Sequence, residues 1–234
     1  MINITFLSDT HGMHRDVEKK SIHDHSPYMD VVIHAGDITE YGSEQETIDF
    51  LQWFGKWRTT YKIFIGGNHD LFLASCTKAQ IRKLLPEGVI YLNNSGVTIG
   101  DINFWGSPNT PYYLDMAFNL RERELHKAWQ KIPDNTDILI THCPPKGIMD
   151  NGIGCEALLN KVKNVKPIYH VFGHAHGHYK GCKLHGINFF NAALAYTNDY
   201  INSDEQKLIA KPITQFVLKN DISDGMEELL LKMP

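Results

Sequence analysis

Five runs of apolar residues, at 2–7, 31–35, 63–65, 138–140 and 168–172, are short and almost continuously apolar. Buried strands read this way, because a strand covered on both faces has no polar side to display. Helical periodicity lies between them. It is clearest over 43–57, where Ser43 and Glu46 stand at capping-box spacing and Ile48, Leu51 and Phe54 share a face. Phe50, Trp53, Phe54 and Trp57 recur at the same period and read as core. Residues 77–85, 120–132 (stopping before Pro133) and 155–162 read as further helices. The pattern then shifts: 97–106 alternates around Gly100-Asp101, and 180–191 behaves alike, so both read as hairpins.

Strands alternating with helices early, and hairpins later, predict a mixed α/β protein whose sheets are covered by helices. No repeat or long linker interrupts residues 1–234, so one domain is expected. The polar stretch 198–211 reads as a surface loop and 224–234 as a frayed or docked tail.

With 234 residues, 42% of them hydrophobic, the chain can bury a substantial core without disulfides or a structural metal. Its formal charge of -4 gives no basic footprint for duplex nucleic acid or an anionic membrane. Cys76, Cys143, Cys155 and Cys182 are widely spaced and form no CxxC pair, which fits a reducing cytoplasm. No window approaches the roughly 18 to 20 apolar residues of a membrane span, and no signal segment opens the chain, so a soluble, unprocessed protein is expected.

Histidine changes the picture. The chain holds 13, several in short clusters with Asp, Asn and Gly. Each apolar run stops on such a cluster: "SDTHG" at 8–12, "HAGDITE" at 34–40, "GGNHD" at 66–70, "THCPP" at 141–145 and "FGHAHGH" at 172–178. Carboxyl ends of strands converge in α/β architectures, so the five clusters are expected to meet. Asp9, His11, Asp37, Asn68, His142, His174 and His176 are oxygen or imidazole donors with no thiolate among them. Such sets suit Mn, Fe, Zn or Ni better than Cu(I) or Ca²⁺. Seven donors exceed what one tetrahedral ion takes and fit two ions sharing a carboxylate. Strand alternation would aim Asp9 and His11 to one side, and likewise His174 and His176.

The ordered set DxH, GD, GNHD, a single His after a strand, and GHxH resembles the calcineurin-like metallophosphoesterase superfamily over residues 2 to about 195. More narrowly, "WGSPNTPYY", "ITHCPP" and "GCEALLNKVKNVKPIYHVFGHAHGHY" are similar to the MPPED branch, which includes class III cyclic nucleotide phosphodiesterases. Some members of that branch lack the first His of GHxH, which here is present as His174. The resemblance implies a four-layer α/β-β/α sandwich of two mixed sheets flanked by helices. It also implies two divalent transition-metal ions, manganese foremost, with Fe, Zn, Ni or Co as alternatives. Asp9, His11 and His176 would hold the first ion, Asn68, His142 and His174 the second, and Asp37 would bridge. His69 would face the substrate as general acid beside Asn68, with Asp70 orienting it from behind.

The expected activity is hydrolysis of a small phosphodiester, cyclic nucleotides included, by metal-activated hydroxide. Its rivals are a phosphomonoesterase or protein phosphatase with the same centre, and a nucleotide-binding regulator with weak catalysis. Tyr112 and Tyr113 are candidates for stacking on a base, or are simple loop anchors. His178 is a candidate peripheral substrate contact. His14, His23, His25, His126 and His185 read as surface or helix residues, His34 as packed at a strand end, and Cys143 as part of a turn rather than a nucleophile.

Overall fold

The computed structural model describes residues 2–21, 30–177, 179–197, 208–210 and 215–218. In chain order the elements begin β1 (Ile2–Leu7), α1 (His14–Ser21), β2 (Val31–His34), α2 (Glu44–Gly55), β3 (Tyr61–Phe64), α3 (Leu71–Ser75), α4 (Lys78–Leu84) and β4 (Val89–Tyr91). They continue with β5 (Ser95–Ile99), β6 (Ile102–Ser107), β7 (Thr110–Pro111), β8 (Asn119–Leu120), α5 (Glu122–Gln130), β9 (Ile138–Thr141), α6 (Glu156–Val165) and β10 (Tyr169–Phe172). The last are β11 (Lys180–Leu184), β12 (Ile187–Asn191), β13 (Ala195–Thr197), β14 (Leu208–Ala210) and β15 (Gln215–Leu218).

Two mixed sheets carry the fold. The first has the order β15-β1-β2-β3-β4, parallel except for the antiparallel edge strand β15. The second has the order β11-β12-β10-β9-β6-β5, with a parallel centre and an antiparallel hairpin at each edge. Ile4, Phe6, Ile33 and Ile63 from the first sheet pack against Phe104, Ile140, Val171 and Phe190 from the second. That shared cluster places the sheets face to face. Leu7, Val32 and Phe64 turn to the other side, under Phe50, Trp53 and Phe54 of α2. Leu139, Phe172 and Phe189 do the same beneath Trp129 of α5 and Leu158 and Val162 of α6. The layers therefore run helix, sheet, sheet, helix. β2, β9 and β10 are buried at every residue, which is why they read as almost continuous apolar runs, with His34, Thr141 and His170 the buried polar exceptions.

The capping box of α2 forms as spaced: Ser43 Oγ accepts from Glu46 N at 3.2 Å and the Glu46 carboxylate accepts from Ser43 N at 2.9 Å. Thr77 and Gln80 do the same for α4. Both predicted hairpins form, as β5-β6 and β11-β12. Two readings need correction. The helix expected from residue 120 starts at Glu122, because Asn119 and Leu120 pair with Thr110 and Pro111 instead. Within the stretch read as a surface loop, Leu208–Ala210 is strand β14, paired with β13. Residues 224–234 lie outside those described.

Candidate metal centre

The carboxyl ends of β1, β2 and β3 in one sheet and of β9 and β10 in the other open onto the same space. The loops there are tied by main-chain bonds: Asp9 N to Gly36 O at 2.9 Å, His11 N to Asp37 O at 3.1 Å, Gly173 N to His142 O at 3.2 Å. Leu194 N and Ala195 N, beyond the last strand of the second sheet, reach Ser8 O and Asp9 O in the first. Gly173 has no room for a side chain, since a Cβ would collide with Ser8 Oγ and the Asp9 carboxylate.

Alternation is not what aims the donors. Asp9, His11, Asp37 and His174 have φ of 53°, 43°, 53° and 67°, in the left-handed region. Each chain leaves its strand and coils back, so donors two residues apart face one space through a turn and not through a pleat. Left-handed backbone at non-glycine residues is costly and persists where the surroundings enforce it. Here the main-chain bonds and buried carboxylates do so.

Donor atoms of Asp9, His11 and His176 lie within 4.8 Å of one another, as do those of Asp37, His142 and His174. Asp37 stands between the groups: Oδ2 is 3.7 Å from His11 Nε2 and 3.2 Å from His142 Nε2. Asp9 Oδ1 is 3.1 Å from His176 Nε2, and both Asp9 oxygens accept from His174 N at 3.0 Å. His142 Nδ1 donates to Ala35 O at 2.9 Å, which turns its Nε2 toward Asp37 and, at 2.9 Å, toward Asn68 Oδ1. All seven expected donors are thus gathered. His69 joins them in a third group with His11 and Asp37.

The electrostatics fit cations. Asp9 and Asp37 are buried, and among the described residues their ion-pair partners are histidines only. Burial alone would raise Asp9, but the His176 bond and the His142 and His176 charges hold it well below the usual range. Asp37 is held low against burial by the His142 charge and hydrogen bond. Burial would lower His11 and His142. The Glu40 contact with the Asp37 and Asp9 charges lifts the first to about 9, and the Asp37 charge and bond lift the second to about 9. Burial and the His142 charge pull His174 down to about 4. Two buried carboxylates, imidazoles and an amide oxygen, with no thiolate, form a set suited to borderline divalent metals.

The remaining expected residues are placed unevenly. His69 N donates to Asp37 Oδ1 at 2.8 Å, and its Nδ1 donates to the main-chain oxygen of Glu40 at 2.8 Å. No hydrogen bond joins Asp70 to that ring among the described residues. Its carboxylate accepts from Gly67 N (2.7 Å), Thr39 N (3.0 Å) and Thr39 Oγ1 (2.7 Å), tying the loop after β2 to the loop after β3. Burial and the Asp37 charge push Asp70 up to about 6. Tyr112 and Tyr113 are 49% and 70% exposed, and Tyr112 lies under the Arg121 guanidinium, 4.9 Å from its ring centroid. Their loop reaches the centre through Ala117 N to Asn68 O at 2.9 Å. His178, His23 and His25 lie outside the described residues. His126 and His185 are exposed. His14 is a helix residue, the first of α1, and is buried rather than at the surface, its Nε2 3.0 Å from Asp49 Oδ2. His34 packs edge-on against Phe50, and Cys143 is buried with its thiol pushed well up by burial.

Sequence reasoning missed three supports. Glu40 Oε2 lies 2.8 Å from His11 Nδ1. Asn151 Nδ2 donates to His176 O at 2.7 Å, and Asn191 Nδ2 donates to Ala175 O at 2.8 Å. Glu40 stands inside "HAGDITE", three residues after Asp37, and that adjacency was the available signal.

A family model described as calcineurin-like phosphoesterase matches residues 2–178. Metallophosphoesterase domain-containing protein 1 of Homo sapiens is 37% identical over 221 residues, covering 82% of this chain and 66% of that protein. The chain therefore spans just under two thirds of that relative. A UPF0046 protein of Caenorhabditis elegans is 30% identical, covering 95% of this chain and 77% of its own length. The crystal structure of TT1561 of Thermus thermophilus shares the fold at a TM-score of 0.59, with 14% identity over 84% of this chain and 92% of that one. The motifs at the strand ends, the four layers and these matches agree: the chain belongs to the calcineurin-like phosphoesterase family, in keeping with the MPPED branch.

Proposed function

We propose that the chain, acting as one domain in a reducing cytoplasm, is a two-metal phosphodiesterase for a small nucleotide-like ester, cyclic nucleotides among them. The observation that carries the reading is Asp37, whose carboxylate faces both His11 and His142, with one donor group on either side. Asp9, His11 and His176 would hold one divalent ion, Asn68, His142 and His174 the other, and Asp37 would serve both; manganese is the first candidate. Such a pair supplies an activated water and neutralises charge on the phosphoryl oxygens.

The chain's own residues do the rest. His142 is kept in one tautomer by Ala35 O. His69 keeps its Nδ1 proton on Glu40 O, which turns Nε2 outward; in the imidazolium form it is the Nε2 proton that passes to the leaving oxygen, leaving the Nδ1–H tautomer behind. Asp70 fixes the two loops that carry Asp37 and His69, a positioning task in place of direct orientation of the ring. Tyr113, exposed on the loop that Ala117 ties to Asn68, and the face of Tyr112 that Arg121 leaves uncovered are the candidates to stack on a base.

The test compares bis(p-nitrophenyl) phosphate with p-nitrophenyl phosphate, and 2′,3′- with 3′,5′-cyclic nucleotides, on metal-depleted and Mn²⁺-loaded protein. Diester turnover that depends on metal and exceeds monoester turnover supports the reading. Monoester preference assigns the centre to a phosphomonoesterase, and no turnover with two ions bound assigns it to a binding protein.

A further inference from the structure

His11 and His69 meet edge to face, ring centroids 4.7 Å apart, and both present Nδ1 to the same residue. His11 Nδ1 lies 2.8 Å from Glu40 Oε2 in an ion-pair contact, and both atoms are buried with no hydrogen-bond partner among the described residues, so each has only the other to answer it. His69 Nδ1 lies 2.8 Å from the main-chain oxygen of Glu40. Carboxylate and carbonyl oxygens only accept, so each ring holds a proton on Nδ1 and turns Nε2 to other work: a lone-pair ligand in His11, and in His69 the nitrogen that carries the second, transferable proton of the imidazolium form. For His11 that Nε2 faces Asp9, Asp37 and His176.

Glu40 is itself fixed. Its N–H donates to Glu46 Oε1 at 3.0 Å, and Tyr41 N donates to the same oxygen at 3.1 Å. Glu46 is the third residue of α2, and its other oxygen closes the capping box with Ser43. On the other side Thr39 N is held by Asp70 Oδ1 at 3.0 Å. The cap of α2 and the carboxylate of Asp70 thus clamp Glu40 from both directions, and a residue two-thirds shielded on its side chain is aimed at two imidazoles at once.

We propose that Glu40 is a positioning residue with two separable outputs: its carboxylate sets the tautomer and angle of His11 as a metal ligand, and its main-chain carbonyl sets His69 as a proton donor. The proposal rests on the two-metal reading above. Because one output is a side chain and the other is backbone, substitution at this position cuts the first and spares the second. Removing such a partner of a ligating histidine costs about 10- to 100-fold in metal affinity.

The experiment titrates the metal-depleted full chain with Mn²⁺ by calorimetry, for the parent, Glu40→Gln and Glu40→Met. The two replacements have similar bulk, but only the amide retains an oxygen that accepts from His11. Melting curves confirm that both fold, and Glu40→Ala repeats the comparison with less bulk. Glu40→Met should bind one ion as the parent does and the other about 10- to 100-fold more weakly, with Glu40→Gln close to the parent. The dependence of kcat on leaving-group acidity should be unchanged in both, because His69 is still held by the backbone. Parent-like affinity for both ions in Glu40→Met overturns the proposal, as does equal damage in the two variants or an altered leaving-group dependence. A parent that fails to bind two ions overturns the two-metal reading itself, so the two failures are told apart.

Discussion

Raising the pH from 6.5 to 9 should strengthen metal binding, by an amount that His11 and His142 determine. In the metal-free chain both keep a proton up to about pH 9, against an ordinary value of 6.5. An imidazole ligates through a neutral nitrogen, so binding each ion displaces one of these protons. Apparent affinity for each ion then falls about tenfold per pH unit below 9, a loss of about a hundredfold at pH 7. The sign for stability follows. Folded values above the unfolded value give the metal-free fold a contribution that is complete below pH 6.5 and is lost as pH rises through 9. The metal-loaded fold has already released those protons. The gain in melting temperature from a fixed Mn²⁺ concentration should therefore widen steadily across that window. Cys155, drawn down to about 6 chiefly by its bond with Cys143, titrates over part of the same range but does so in both forms and cancels in the difference. His34, His170 and His174, pulled down to about 3, 3 and 4 with burial as the first cause, lie below the window. Calorimetry at pH 7 in PIPES and HEPES, whose ionisation heats differ, should report about one proton released per ion. Binding heats independent of buffer, with no widening of the melting shift, would refute the placement of protons on these two imidazoles.

Three substitutions probe the remaining logic. Asp37→Ala should abolish binding of two ions, and calorimetry that still counts two would show that Asp37 does not bridge. His69→Ala should keep both ions yet slow an ester with a poor leaving group about 10² to 10⁴-fold, with little effect on an activated ester; equal slowing of both esters would argue against a proton-donor role. Gly36→Ala puts a Cβ 2.6 Å from both Gly66 O and His142 Nδ1, at a residue whose φ of 100° only glycine adopts freely. It should displace the His142 proton from Ala35 O, lower the melting temperature and weaken one ion; normal binding of both ions would show that this bond does not orient His142.

The fold was legible where burial alone dictates sequence. Val31–His34, Ile138–Thr141 and Tyr169–Phe172 are covered on both faces, so their apolar runs needed no partner to be recognised. The elements that were missed depend on something distant. α1, HRDVEKKS, has a single apolar side chain in Val17 and gains its place through the packing of that residue among Leu7, Val32 and Phe50. β7 and β8 are two residues each and exist only as each other's partner, which is why Leu120 reads as the start of a helix. β15 is written nowhere near β1, and its antiparallel pairing with Ile2–Thr5 is a long-range choice that local pattern does not contain.

The site shows a different limit. Residue identity and order sufficed to gather seven donors, because strand ends converge whatever the intervening chain does. How the donors are aimed was out of reach, since period-two reasoning holds only inside a strand, and Asp9, His11, Asp37 and His174 lie just beyond one in left-handed backbone. The strain there must be balanced by neighbours, and no local pattern singles those neighbours out together. Asp70 fastens Gly67 and Thr39, Glu46 fastens Glu40, and Asn191 fastens Ala175. A capping box that reads in sequence as local helix punctuation thereby becomes part of the centre's support: Glu46, the third residue of α2, holds the residue that holds His11.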